Sequence, residues 1–292
     1  MPQPAATAIV STQPASAPSY APIPTVRTLE AAAATGDRIA QYQLAQDKLT
    51  AGDFQEGASL MRRSADKGLP IAEYTLSKLH EKGTGVPKDL SLSRQWTEKA
   101  AEGGNVKAMH DLAVFMAEGE GGPQTYAGAV EWFRKAADYG VVDSQYNLGV
   151  LYEQGLGISP NLTEALYWFT VAARNGDAGA PSRVMELTGR VSPEAAAQAK
   201  SRAAVWTASD SNAIANGRFS AQSWELSNPR TVKAVQTALM ALGYEAGAPD
   251  GLMGPGTASA IRDYQTTSGL APTGTVTQEL VTHLNTSATG TL

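Results

Sequence analysis

Few residues in this 292-residue chain could carry covalent chemistry. Cysteine is absent, which removes thiolate nucleophiles, disulfides and Cys-based zinc sites together. The three histidines, His80, His110 and His283, stand 30 and 173 residues apart. That spacing lacks the HxH or HxxxH pattern that brings two imidazoles to one metal. Ser64-Ala-Asp-Lys67 has the Ser-x-x-Lys spacing in which a lysine activates a serine for acyl transfer. No Lys-Thr-Gly partner accompanies it, and Ser64 lies 36 residues before Ala100, which marks a small-residue packing position. The Gly-x-Gly pairs at 83/85, 119/121 and 155/157 suggest phosphate loops. They recur at one interval and follow helices rather than strands, so they are turn glycines. Carboxylates are plentiful, but none is paired by spacing for glycosidic work. These residues point to a non-enzymatic protein with no cofactor and no metal.

The elements that position these residues are set by bulk composition and by repetition. A hydrophobic share of 42% supports folded domains, and the net charge of −5 comes from 23 basic and 28 acidic residues scattered along the chain. Without a Lys/Arg cluster no nucleic-acid partner is expected. No apolar run approaches the ~20 residues that span a bilayer. Residues 1–26 contain no Lys or Arg and no continuous apolar core, so they do not read as a signal peptide. Residues 1–29 hold six of the sixteen prolines among Ala, Ser and Thr, and read as a disordered linker.

From residue 30 the chain repeats itself. Trp96, Trp132 and Trp168 are 36 residues apart, as are Gly68, Gly104, Gly140 and Gly176, and Leu76, Leu112 and Leu148. The same step links the pairs Ala100-Ala101, Ala136-Ala137 and Ala172-Ala173. Asp53, Asp89, Thr125 and Asn161 share it too, and all four are residue types that cap helix starts. Each unit reads as two helices: one over 71–82, for example, ended by Gly83 and Gly85, and a second opened by Asp89 and carrying Trp96. The three tryptophans are the expected repeat-packing residues. A helix pair cannot bury its own apolar face, so the units must stack. Ser192-Pro193-Glu194 starts an Ala-rich helix expected to cover the open end of the stack. The array is assigned to residues 30–207, followed by a linker over 208–226.

The run Ser144-Gln-Tyr-Asn-Leu-Gly-Val-Leu-Tyr-Glu-Gln-Gly-Leu-Gly, with Glu164-Ala-Leu-Tyr-Trp-Phe and Ala172-Ala-Arg-Asn-Gly, resembles a Sel1-like repeat. The resemblance implies a TPR-related α/α solenoid that serves protein contacts. The third unit departs from the pattern: His110 replaces the aromatic, and Glu118-Gly-Glu-Gly-Gly-Pro predicts a looser, acidic loop.

Residues 227–286 have another texture. Asn228-Pro229 starts a helix with Val232, Val235, Leu239 and Leu242 on one face; Pro249-Asp250-Gly251 is a tight turn. Thr257 and Thr277 are placed as caps of two further helices, and 287–292 as a tail. Val235-Gln236-x-x-Leu239-x-x-Leu242-Gly243-Tyr244, Asp250-Gly251-x-x-Gly254-x-x-Thr257, Tyr264-Gln265 and Thr273-Gly274 resemble the peptidoglycan-binding domain family. The fold class is therefore all-α: a solenoid plus a small three-helix domain. The resemblance implies peptidoglycan as ligand, and Tyr244, Asp250, Arg262 and Gln265, polar or aromatic residues beside the Asp-Gly loop, are the candidate contacts.

Together the modules resemble the periplasmic part of alphaproteobacterial polar organelle development scaffolds. They imply a periplasmic scaffold, held by the wall through one module and by envelope or polar proteins through the other. Membrane contact is expected only through an anchor upstream, in a longer inner-membrane protein. An accessory subunit that delivers or activates a separate wall hydrolase is the alternative.

Overall fold

The computed structural model describes residues 20–24, 28–222 and 224–288, and the expected linker over 1–19 and 25–27 and the tail over 289–292 lie outside them. Among the described residues the structure is all-helical. The described residues divide into two compact units, one over 29–220 and a second formed by those upstream of 29 with those from 221 onward.

The larger unit opens with α1 (Leu29–Ala34), followed by four helix pairs: α2 (Arg38–Thr50) with α3 (Phe54–Ala65), α4 (Pro70–Lys82) with α5 (Leu90–Glu102), α6 (Val106–Glu118) with α7 (Tyr126–Asp138), and α8 (Val142–Gln154) with α9 (Leu162–Arg174). Asp89, Thr125 and Asn161 cap their helices through side-chain bonds to Leu92 N, Gly128 N, and Thr163 and Glu164 N. Asp53 does not: its carboxylate lies 3.8 Å from Lys48 instead, so the first unit departs from the capping pattern. The inter-helix loops share one closure, with Asp89 N donating to His80 O at 3.0 Å, Thr125 N to Met116 O at 2.8 Å and Asn161 N to Tyr152 O at 2.8 Å. The acidic third loop is thus no looser than its neighbours. His110 takes the aromatic place, its ring edge-on to Phe133 at 5.6 Å and its Nδ1 2.7 Å from Ser144 Oγ.

Stacking requires glycine at one position in each loop. Gly85, Gly121 and Gly157 have φ near +70°, and a Cβ there would stand 2.0 to 2.2 Å from backbone atoms of Phe54, Leu90 and Tyr126, the first residues of the second helix in the preceding unit. Side-chain amides add stitches between units. Gln41 Nε2 donates to Ala33 O and Gln145 Nε2 to Ala137 O. The same repeat position in the second unit holds Glu73, which is buried. Burial, aided by Glu102 and opposed by Lys99 and Arg38, pushes its carboxyl pKa up.

The end of the stack is covered by α10 (Ala180–Thr188) and α11 (Pro193–Ala204); Ala196, Ala199 and Ala203 of α11 enter the apolar cluster around Trp168 and Phe169. The expected linker after α11 is instead a strap, running back along the turns between units. Ser209 N donates to Asp138 O at 2.8 Å, and Asn105 Nδ2 to Ala215 O at 2.7 Å. Asn216 accepts from Val106 N at 2.9 Å and donates to Gly104 O at 3.2 Å. Phe219 reaches the first unit, edge-on to Tyr42 at 5.8 Å. Asn105 is buried by this arrangement, in a series where the neighbouring units have Leu69 and Val141.

The smaller unit contains α12 (Pro229–Ala241), α13 (Pro255–Thr267) and α14 (Gln278–Ala288). Its core of Val235, Leu239, Ile261, Tyr264, Leu280 and Leu284 includes Ile23, drawn from far upstream. Asn285 grips both sides of the Ile23 peptide, accepting from its N–H at 2.7 Å and donating to its C=O at 3.1 Å, while Tyr20 Oη donates to Leu284 O. Residues 20–24, expected within a disordered linker, are therefore a piece of this domain. Burying one isoleucine contributes about 2 kcal/mol, a large share for a thin core.

Two outcomes follow from burial. Trp96 and Trp168 are 6% and 5% exposed, whereas Trp132 is only half-buried, with Lys135 Nζ 3.8 Å from its ring centroid. Trp168→Ala should cost about 3–5 kcal/mol in denaturant unfolding and Trp132→Ala about 2 kcal/mol or less; equal costs would mean that the units pack otherwise. The raised Glu73 pKa means that the folded state binds its proton more tightly than the unfolded state. Its stability contribution is present below the unfolded value and lost as pH rises through the folded one. Glu73→Gln should raise the thermal midpoint at pH 7 and change it little at pH 4; the reverse order would refute the burial argument.

Candidate functional site

In the smaller unit two glutamines clamp the loops that follow their helices, and they do so in the same way. Gln236 Oε1 accepts from Gly251 N at 2.9 Å, while its Nε2 lies 3.0 Å from Asp250 Oδ1, 3.1 Å from Leu252 O and 3.0 Å from Thr257 Oγ1. Gln265 Oε1 accepts from Gly274 N at 2.9 Å, and its Nε2 donates to Thr273 Oγ1 at 3.1 Å. Both glutamines are 1% exposed. Gln265, expected to face a ligand, is thus a buried clamp with both ends of its amide engaged. Thr257 is not a cap either: α13 begins at Pro255, and the Thr257 hydroxyl donates to Ala246 O at 2.9 Å. Thr277 does cap α14, accepting from Leu280 N at 3.1 Å.

The Gln236 clamp holds the surface loop on which Tyr244 and Asp250 sit, whereas Arg262 lies on α13 itself. Asp250 is exposed, with Oδ1 accepting from Leu252 N at 2.8 Å. That backbone bond, then the Gln236 amide, lowers its carboxyl pKa, so it stays a carboxylate. Gly251 takes φ +83, and a Cβ there would meet Pro229 O at 2.5 Å. Tyr244 is half-buried, edge-on to Tyr264 at 5.4 Å, and lines a hollow of about 330 Å3 with Met240, Gly243, Glu245, Ala246 and Gly247. Arg262 is exposed beside Gly274 and does not line that hollow. The four expected residues therefore do not converge. Sequence reasoning passed over three exposed apolar residues, Met240, Leu252 and Met253 at 48%, 64% and 39% exposure. The only signal for them was two bulky apolar residues directly after the Asp-Gly turn.

The residues considered for catalysis have structural partners. Ser64 is fully buried and donates to Arg38 O at 2.6 Å, while Lys67 Nζ bonds Gly36 O. His80 Nδ1 lies 3.3 Å from Pro87 O, and His283 Nδ1 2.7 Å from Tyr264 Oη. Among the described residues no group of three His, Asp or Glu side chains could hold a metal ion.

The Sel1 repeat model matches residues 38–69, 70–105, 106–140 and 142–177, one match for each helix pair. The solenoid is an array of Sel1 repeats. Residues 228–284 match the model described as "Putative peptidoglycan binding domain", and the smaller unit carries that domain. The chain is 41% identical over 256 residues to the Localization factor PodJL of Caulobacter vibrioides, in strains NA1000 and ATCC 19089. The match covers 87% of this chain and 26% of that protein, so the chain spans about a quarter of the relative's length. A protective antigen of uropathogenic Escherichia coli with an SLR fold shares the fold, with a TM-score of 0.52 and 21% identity over 90% of this chain and 56% of its own. A Sel1 repeat protein from Oxalobacter formigenes is 29% identical over 60% of this chain and 76% of its own, with a TM-score of 0.49. None of the matched families is catalytic.

The clamp arrangement separates the roles of the two polar residues on α13. Gln265→Ala leaves the Gly274 N–H unpaired, while Thr273 Oγ1 keeps its bonds from Thr275, and should cost about 1–3 kcal/mol in the unfolding of the smaller unit. Arg262→Ala should change stability by less than about 0.5 kcal/mol. A thermally silent Gln265→Ala would return that residue to the ligand surface.

Proposed function

We propose that this chain is a non-catalytic periplasmic tether and scaffold. Its smaller unit holds peptidoglycan, and its Sel1 repeats hold envelope proteins, in the organisation of a cell pole. The observation that carries the reading is the pairing of these two modules in one chain, together with 41% identity, across 87% of the chain, to a protein named as a localization factor. The proposed wall contacts are Tyr244, whose ring can lie against a sugar or a stem-peptide methyl group, and Asp250 and Arg262, whose charges suit the amides and carboxylates of a stem peptide. Gln236 holds the loop bearing Tyr244 and Asp250, and Arg262 stands on α13, so little backbone order is lost on binding. A small site gives modest affinity, which many copies on one surface multiply through effective concentration. No helix among the described residues is long and apolar enough to cross a membrane. In this reading the membrane is reached through an upstream anchor in a longer inner-membrane protein.

Co-sedimentation with purified sacculi tests the division of labour. The full chain should pellet, the fragment 29–220 should stay in the supernatant, and Tyr244→Ala with Arg262→Ala should lower pelleting by about tenfold without changing circular dichroism. The same incubations should release no muropeptides, with or without zinc. Pelleting of the 29–220 fragment, or turnover that vanishes in Ser64→Ala, would overturn the proposal.

A further inference from the structure

The solenoid has one face that its own chain covers and one that it leaves open. The strap lies over the turns between repeats, at the starts of α6 and α8. Two adjoining hollows remain near the ends of α4, α6 and α8. One, of about 320 Å3, is lined by Lys78, Glu81, His110, Asp111, Phe115 and Glu120. The other, of about 280 Å3, has a floor of Tyr126, Phe133, Val150, Leu151 and Leu156. Val114 and Glu118 of α6 line both, which makes them one groove across three successive repeats.

Its electrostatics are one-sided. Four carboxylates, Glu81, Asp111, Glu118 and Glu120, line the hollow with one ammonium, Lys78, and the one guanidinium beside it, Arg94, is spent on the backbone carbonyls of Glu120 and Pro123. Lys78 is already engaged by Glu81 and, at 3.2 Å, by Asp111. Glu118 and Glu120 are exposed and have no ion-pair partner among the described residues. The last turns of α4, α6 and α8 all come to this groove, and helix C-termini carry partial negative charge. Carboxylates there repel one another and the helix ends, an arrangement relieved by a cation from outside.

We propose that this groove docks a basic segment of a partner protein, with Lys or Arg side chains set against Glu118 and Glu120 and interleaved large apolar side chains on the Val114, Val150 and Leu156 floor. The inference rests on the reading of the Sel1 repeats as the protein-binding part of the chain and adds the chemistry of the partner. An acidic segment is excluded by charge, and a purely polar one leaves the apolar floor uncovered.

The full chain is titrated into three short fluorescein-labelled peptides, of alternating Lys and Leu, Gln and Leu, and Glu and Leu, with anisotropy as readout. The Lys/Leu peptide should bind at least about tenfold more tightly than the Gln/Leu peptide and weaken with salt, and the Glu/Leu peptide should not bind. Glu118→Lys with Glu120→Lys should weaken the Lys/Leu complex by about tenfold, whereas Glu131→Lys, exposed on α7, should not, with circular dichroism unchanged in both. Equal binding of the Lys/Leu and Gln/Leu peptides, or an unaffected double variant, overturns the groove assignment. Crosslinking of the full chain in envelope extracts separates the two readings. Adducts on the repeats that persist in the double variant remove the groove and leave the scaffold; no adducts on the repeats remove both.

Discussion

The contact on which the solenoid depends is the approach of each inter-helix loop to the start of the second helix in the preceding unit. Gly85, Gly121 and Gly157 bring backbone against backbone where a single methyl group would collide. This fixes the spacing between repeats, and the rest of the stack is arranged to keep it. The small pairs Ala100-Ala101 and Ala136-Ala137 allow the neighbouring helices to close, and the aromatic residues fill the volume left over. Because each unit contacts only its neighbours, the array has open ends, and α10 with α11 covers one of them.

The smaller unit meets a different constraint: too few residues for a deep core. It answers with polar clamps and a borrowed side chain. Gln236 and Gln265 each hold a loop by both ends of one amide, so two turns are ordered by buried hydrogen bonds rather than by apolar volume. Ile23 supplies the core from upstream, its peptide held by Asn285. A domain so built presents fixed loops at its surface, and a weak binder gains from that, since little motion remains to be lost on contact.

Strap and groove together show how one repeat surface is divided. Asn105 and Asn216 hold the strap in register by reciprocal hydrogen bonds, at a position where neighbouring repeats have apolar residues. That half of the repeat surface is satisfied within the chain. The half near the helix C-termini keeps unneutralised carboxylates above an apolar floor, which is the signature of a surface awaiting a partner rather than of a finished core.

The period of 36 residues, the helix pairs, the three-helix domain and both family resemblances could all be read from residue types alone, because they arise from local rules: caps, turn glycines and amphipathic spacing repeat wherever the backbone does. Tertiary structure decided what depends on distant partners. Gln265 looks like a surface polar residue until Gly274 and Thr273 are folded onto it, and Pro-rich residues 20–24 look like linker until Asn285, some 260 positions away, closes on Ile23. The Ser- and Asn-rich stretch after α11 becomes a strap only because the turn at Gly104 exposes backbone groups that Asn216 can reach. Trp132, at the same period as Trp96 and Trp168, is left half-buried, since burial is set by what stacks above a residue and not by its place in the repeat.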